Sequence, residues 1–270
     1  MSIFPDQFRL DGRTALITGS GRGLGWEIAQ ALAQARARVL LHGRSAEREG
    51  APAAAVVDAL QEVRVPPGVA SLPDAGREAG AITFDMADRP AMRQAVGSAG
   101  PIDILVHNVG ERDRRPFAEI EPEDFARLVD VDLVAAHALV KLVVPGMIER
   151  GWGRLILVTS IVADLATPGA SSYTTAKGGL SALARALASE LGAAGVTSNA
   201  LSPGFFATET NAEYLASPAG ERNRLRCPAK RWAKPHEIAG AALFLASPAA
   251  SYVNGHTLTV DGGVSATYMA

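Results

Sequence analysis

The feature that most constrains this chain is a short apolar run that feeds directly into a glycine loop and then a helix. Residues 13–18 (RTALIT) read as a buried strand, Gly19-Ser20-Gly21-Arg22-Gly23-Leu24-Gly25 follows, and helical periodicity covers 22–37. Glycines in such a loop let the backbone turn sharply and approach a pyrophosphate with no Cβ in the way. The helix start adds backbone N–H groups and the positive end of its dipole. Strand, phosphate loop and helix in that order form the opening unit of a parallel sheet covered by helices.

The rest of the chain repeats the alternation. Strand-like runs over 38–42, 81–84, 102–107, 154–159, 196–201 and 256–260 are separated by helix patterns over 89–98, 121–150, 172–194 and 235–246. Near-continuous apolar strands suit a parallel sheet buried on both faces. No repeat period or interior linker divides the 270 residues. The expectation is therefore α/β: a single-domain Rossmann fold over 1–270, with a doubly wound parallel sheet of about seven strands flanked by helices. Two segments break the rhythm. Residues 45–80, rich in Ala, Pro and Gly, read as a surface insertion with a helix candidate at 53–63. Residues 204–234 carry Phe205, Phe206, Tyr214 and Trp232 amid polar residues, which reads as a loop serving as a substrate lid.

Charge and composition exclude several classes of partner. A formal net charge of −2 gives no electrostatic reason to expect nucleic acid or an anionic membrane. No stretch approaches the ~20 uncharged apolar residues of a bilayer span. The one cysteine, Cys227, forbids an internal disulfide and favours a reducing compartment, so a cytoplasmic protein is expected. The five histidines (His42, His107, His137, His236 and His256) lack metal-ligand spacing, and no metal site is expected.

The chemistry-bearing signal is Tyr173-Thr174-Thr175-Ala176-Lys177 at the start of a helical run. Spacing i, i+4 puts phenol and ammonium on one helix face. A phenol titrating near 10 is a poor acid or base at neutral pH, and a neighbouring Lys⁺ lowers it toward the working range.

These residues, with others in register, resemble the short-chain dehydrogenase/reductase family along nearly the whole chain. Residues 18–25 are similar to its TGxxxGxG cofactor loop, and Asp85 to the acid after the third strand that contacts adenine, with Met86 beside it. His107-Asn108-Val109-Gly110 resembles NNAG, and Ser160 stands 13 residues before Tyr173, the family's spacing of Ser and Tyr. Pro203-Gly204-Phe205-Phe206-Ala207-Thr208 resembles the PGxxxT segment that holds the nicotinamide, and Asp261-Gly262-Gly263 the C-terminal signature. Residues 8–44 look most like the gluconate 5-dehydrogenase-like branch.

The resemblance implies an oxidoreductase that moves hydride between a nicotinamide cofactor and a secondary alcohol or ketone. Tyr173 would be the general acid/base, Lys177 would lower its pKa and hold the ribose, and Ser160 would hydrogen-bond the substrate oxygen. Asp132, in Val131-Asp132-Leu133, stands where the family usually has Asn; its backbone carbonyl would support a relay water, while its carboxylate adds charge near Lys177. Val109 for the usual Ala and the long 45–80 connection are the other departures. The implied cofactor contacts are Gly19, Ser20, Gly21, Arg22, Gly23, Leu24, Gly25, Arg44, Asp85, Met86, Asn108, Val109, Gly110, Tyr173, Lys177, Pro203, Gly204, Phe206 and Thr208.

The second strand ends in His42-Gly43-Arg44, with no carboxylate to repel a 2′-phosphate, so NADP(H) is favoured and NAD(H) remains open. The basic loop Glu111-Arg112-Asp113-Arg114-Arg115 could hold a sugar-acid carboxylate or be a solvated surface, while Phe205, Phe206 and Tyr214 point to an apolar or cyclic ketone. The alternative function is a catalytically weak dinucleotide-binding regulatory protein, which has no need of Ser160, Tyr173 and Lys177 together. The family further implies a homotetramer or homodimer built on the helices at 121–150 and 172–194, the latter with Leu180, Leu183 and Leu187 at helical spacing.

Overall fold

A computed structural model describes residues 6–44, 47–48, 51–52 and 79–267. The first unit is the one the glycine loop demands. Strand β1 (Thr14–Ile17) leads through the loop into helix α1 (Gly23–Gln34), which buries Gly25, Ile28, Ala29 and Leu32. Strand β2 (Arg38–Gly43) follows, and then β3 (Ala79–Thr83). Helix α2 (Arg89–Ser98) begins where the Asp88 side chain accepts a hydrogen bond from the Ala91 N–H at 2.9 Å, and it buries Met92 and Val96. Strand β4 (Ile104–His107) has all four residues buried, and so have all six of β5 (Gly153–Val158) and all eight of β6 (Val196–Pro203). The last strand, β7 (Thr257–Val260), is only partly covered.

The seven strands form one parallel sheet in the order β3-β2-β1-β4-β5-β6-β7. The order reverses between β1 and β4. In an open α/β sheet a ligand crevice opens at that switch point, beyond the carboxyl ends of the strands. Apolar clusters cover both faces. One joins Ile28 and Leu32 of α1 to Ile238, Leu245 and the strands; the other joins Met92, Leu139, Val143 and Met147 to Leu16, Leu105 and Leu155. Each fully buried side chain of this kind stabilises by about 1.5–3 kcal/mol relative to exposure.

The helix expected over 121–150 is interrupted. Helix α3 (Pro122–Val129) passes through a π-turn at Asp130–Val134 into α4 (Ala135–Glu149). A π-turn inserts one extra residue per turn without changing the apolar pattern enough to be seen in the sequence. Taken as a single run, Pro122–Glu149 has an apolar window of mean hydropathy 1.8, long and apolar enough by composition to cross a membrane. Half of that window is buried inside the fold, as a core helix requires.

Helix α5 (Ser171–Leu191) aims one face at the sheet, burying Tyr173, Ala176, Lys177, Leu180 and Ala184. Segment 204–234, expected as loop, contains two short helices, α6 (Ala212–Ala216) and α7 (Pro218–Arg226). The second is capped by Ser217, whose Oγ accepts from the Gly220 N–H. The pattern at 235–246 resolves into a 3-10 turn at Pro235–Ile238 and helix α8 (Ala239–Ala246). Glu47–Arg48 pairs antiparallel with Ala51–Pro52; the helix candidate at 53–63 and the rest of the 45–80 segment up to residue 78 lie outside the described residues.

Candidate active site

A cleft of about 590 Å³ opens at the switch point. Its floor is the glycine loop. Gly25 buries against the loop itself: a Cβ there would lie 2.5 Å from the Gly19 carbonyl oxygen and 2.6 Å from Asn108 Nδ2. Only glycine lets α1 start this close to the strand. Asn108 secures the same turn by donating Nδ2–H to the carbonyls of Thr18 and Gly19, both at 3.2 Å, while Thr18 Oγ1 accepts the Asn108 N–H at 2.9 Å.

Gly19, Arg22, Gly23, Leu24, Arg44, Asp85, Met86, Asn108, Val109 and Gly110 line the cleft on this side, and Pro203, Gly204, Phe206 and Thr208 line it on the other. Three of the cofactor candidates do not line it, Ser20, Gly21 and Gly25, and neither does Asp132. Ser20 is buried, and its Oγ accepts the His42 N–H at 2.9 Å, so its hydroxyl holds the loop to β2 rather than facing a ligand. Gly25 is sealed behind Gly19 for the reason just given.

His42 was expected to be structural or exposed, and it stands in the cleft wall. Its Nδ1 accepts the Gly19 N–H at 3.2 Å and its Nε2 donates to the Phe84 carbonyl at 3.0 Å. That pattern requires the neutral ring. Burial pushes His42 down to about 4, which outweighs the Phe84 hydrogen bond and Asp85 acting to raise it. The imidazole is thus a neutral brace between the cofactor loop and the end of β2.

At the far end of the cleft stand Ser160, Tyr173 and Lys177. Tyr173 is buried except for its edge on the cleft. Arg112 Nη2 donates to Tyr173 Oη at 3.3 Å, with the guanidinium 4.8 Å from the ring centroid. The Lys177 ammonium lies 5.6 Å from the same centroid and donates to the carbonyls of Val109 (3.3 Å) and Val158 (3.2 Å). Burial pushes the Tyr173 phenol up; the charges of Lys177 and Arg112, with hydrogen bonds from Arg112 and Ser160, more than offset it and hold the phenol below its ordinary value.

Asp132 sits in the π-turn, fully buried, with Oδ2 3.7 Å from Lys177 Nζ. Its Oδ1 accepts the Glu111 N–H at 2.8 Å. Its backbone carbonyl, expected from the resemblance to serve a relay water, accepts His107 Nε2–H at 3.1 Å. His107 is driven down to about 3 by burial and by Lys177, so it is neutral and donates from Nε2.

Arg112 and Arg114 also line the cleft, which the sequence left open between substrate contact and solvated surface. Arg115 is the solvated member, paired with Asp113 and with Asp124 at 2.6 Å. Phe205 and Tyr214 do not line the cleft; they meet Trp232 edge-on at 5.1 and 6.2 Å, and Arg114 lies 4.9 Å from the Tyr214 ring. The residues missed altogether are Val158, Thr159, Thr210 and Asn211. No group of three or more His, Cys, Asp or Glu side chains is arranged to hold a metal among the described residues.

A cleft at the switch point, floored by a glycine loop and closed by Ser, Tyr and Lys, invites comparison with known proteins. The family model described as enoyl-(acyl carrier protein) reductase matches residues 19–265. The chain belongs to the short-chain dehydrogenase/reductase family. It is 36% identical over 267 residues to gluconate 5-dehydrogenase of Gluconobacter oxydans, covering 97% of this chain and 98% of that one. It is 33% identical to 7alpha-hydroxysteroid dehydrogenase of Escherichia coli K12, with 96% of each chain covered. Among solved structures, a gluconate 5-dehydrogenase from Burkholderia cenocepacia in complex with NADP and tartrate superposes with a TM-score of 0.86 at 36% identity, covering 97% of this chain and 99% of that one.

Proposed function

We propose that this oxidoreductase uses NADP(H) to interconvert a secondary alcohol and a ketone on a small anionic polyol, a sugar acid, with Tyr173 as proton carrier. The observation that carries the reading is the pair of arginines that line the cleft: Arg112, which donates to the Tyr173 hydroxyl, and Arg114. Two guanidiniums there favour a carboxylate-bearing substrate over an apolar one. The Burkholderia relative's complex with tartrate, itself a hydroxy acid, supports the same class.

The residues present fit a dinucleotide. The close Gly19–Gly25 turn and the start of α1 leave room for a diphosphate, Arg44 and Arg22 suit a 2′-phosphate, and Asp85 and Met86 stand where adenine would lie. NADP(H) supplies or takes the hydride when bound. In the oxidation direction Tyr173, as phenolate, takes the hydroxyl proton while Ser160 donates a hydrogen bond to the substrate oxygen. In reduction Tyr173 gives the proton back. Lys177 holds the phenolate's charge in place from below, through attraction at short range in a buried setting.

The substrate class is tested by turnover. With NADPH, sugar keto acids should react and steroid ketones should not; the reverse order would reject the reading. Arg114 does not touch Tyr173 in any hydrogen bond, so Arg114→Ala should raise KM for the sugar acid about tenfold, near 1.4 kcal/mol, and leave kcat within twofold. An unchanged KM would remove Arg114 from substrate binding. The second reading, an apolar cyclic ketone, has the 33% identity to the steroid dehydrogenase in its favour. Against it, Phe205 and Tyr214 spend their faces on Trp232.

Cofactor choice follows from Arg44. NADPH should bind at least tenfold more tightly than NADH, about 1.4 kcal/mol. Trp232 touches Phe205 and Tyr214 within segment 204–234, which we take to be the substrate lid, so tryptophan fluorescence should report the titration. Equal affinities would contradict the role of Arg44, and a Trp232→Phe variant with an undiminished signal would contradict the lid. We further propose assembly as a homotetramer or homodimer through the α3–α4 run and α5. Val134 and Ile148 on the first of these are about half exposed, and Leu183 and Leu187 on α5 are only partly buried. Light scattering at micromolar concentration that finds only monomer would refute it.

A further inference from the structure

The side chain of Asp132 is not explained by any role given above. It is fully buried and does not line the cleft, lying against Lys177, which does. Its Oδ1 is engaged with the Glu111 N–H, and its carbonyl with His107. Its Oδ2 is fully buried, takes no hydrogen bond among the described residues, and faces Lys177 Nζ at 3.7 Å. One carboxylate therefore spans from the ammonium beneath Tyr173 to the first residue of the loop that carries Arg112 and Arg114. Gly110 makes room for the pair: a Cβ there would come 2.7 Å from Lys177 Nζ and 3.3 Å from Asp132 Oδ2.

The charged and titratable groups around Asp132 come from three elements. Helix α5 contributes Lys177 and, further out, Tyr173. The 111–115 loop contributes Glu111, itself paired with Arg127 at 2.6 Å, and Arg112. Strand β4 contributes His107, neutral and turned to the carbonyl. Burial pushes the Asp132 carboxyl above its ordinary value, with Glu111 adding to it, while Lys177 and the Glu111 N–H pull it back. Both oxygens face donors or positive charge, which is the arrangement an ionised carboxylate needs and a protonated one wastes.

We propose that Asp132 is a positioning residue whose ionised carboxylate ties Lys177 to the 111–115 loop and, by partly cancelling the Lys177 charge, sets the proton affinity of Tyr173. The inference rests on Tyr173 as proton carrier for its catalytic meaning, but its physical content is electrostatic. A neutral group at position 132 leaves the ammonium uncancelled, favours phenolate, and lowers the Tyr173 midpoint.

The test uses unliganded protein, so its failure and the failure of the proposed reaction are separable. Tyrosinate absorbance is titrated in wild type and in Tyr173→Phe, and the difference isolates Tyr173 from Tyr214, Tyr252 and Tyr268. The same pair is then titrated in the Asp132→Asn background. The expected result is a Tyr173 midpoint lower by about one pH unit in Asp132→Asn. A purely structural role would change the melting temperature and leave the midpoint alone. An unmoved midpoint, or one that rises, overturns the proposal. If Asp132→Asn does not fold, carboxyl ¹³C NMR of the wild-type protein decides: Asp132 ionised at pH 7 supports the proposal, and Asp132 protonated there overturns it.

Discussion

Replacing Tyr173 by Phe lowers kcat by ~10²–10⁴-fold in our account, the range that general acid–base catalysis supplies. The substitution keeps the ring, its packing and the cation beneath it, and removes one oxygen. That oxygen is held by Arg112 at 3.3 Å, in a setting that keeps the phenol below its ordinary value. Neither Ser160, bonded to the Val162 N–H at 3.2 Å, nor Lys177, bonded to two carbonyls, is aimed to take over its proton. NADPH affinity should change less than threefold, because the glycine loop and Arg44 stand at the other end of the cleft. Steady-state kinetics and a fluorescence titration on the same preparation check both halves. A variant that retains more than a tenth of the wild-type kcat would mean that another group carries the proton.

Lys177→Met should strike stability as well as rate. Lys177 and Asp132 are both buried, and removing one member of such a pair leaves an uncompensated charge at a cost of roughly 3–5 kcal/mol. For a chain of this size that is a drop in melting temperature of roughly 6–20 °C. The loss should depend on pH in a definite sense. Without Lys177 the Asp132 carboxyl rises further above its unfolded value, so the folded state binds a proton more readily than the unfolded one. The damage is therefore greatest at neutral pH and shrinks as pH falls through the raised value. Lys177→Met with Asp132→Asn should recover most of the stability while kcat stays low, since the phenol has still lost its positive neighbour. Thermal melts of the two single variants and the double variant measure this. Additive losses in the double variant would show that the two side chains are not coupled.

Much of the fold was legible in the sequence for a simple reason. Strands buried on both faces read as near-continuous apolar runs, as Leu155–Val158 of β5 does, and the glycine loop marks where the first strand ends. The Tyr173–Lys177 pair was legible because helical spacing alone puts both on one face. What escaped depends on contacts between distant segments. The π-turn at Asp130–Val134 leaves the apolar period of 121–150 intact, so its effect on Asp132 is invisible in one dimension. The contact of His107 with the Asp132 carbonyl joins residues 25 apart in sequence. In the 111–115 loop the local pairs Arg115–Asp113 and Arg127–Glu111 do make a solvated surface, and only the fold turns Arg112 inward onto Tyr173. Helices α6 and α7 were missed because they are short, five and nine residues long, and the second is polar.

The pH dependence of kcat for alcohol oxidation tests most directly whether Tyr173 titrates as the proton carrier. Phenolate is the active form in that direction, so kcat should rise with pH through a midpoint below the ordinary value near 10 and then level off. In reduction the same group acts as phenol, and kcat should fall through the same midpoint. Tyr173→Phe should lose both limbs. Limbs that survive in Tyr173→Phe with their midpoints in place would contradict the account.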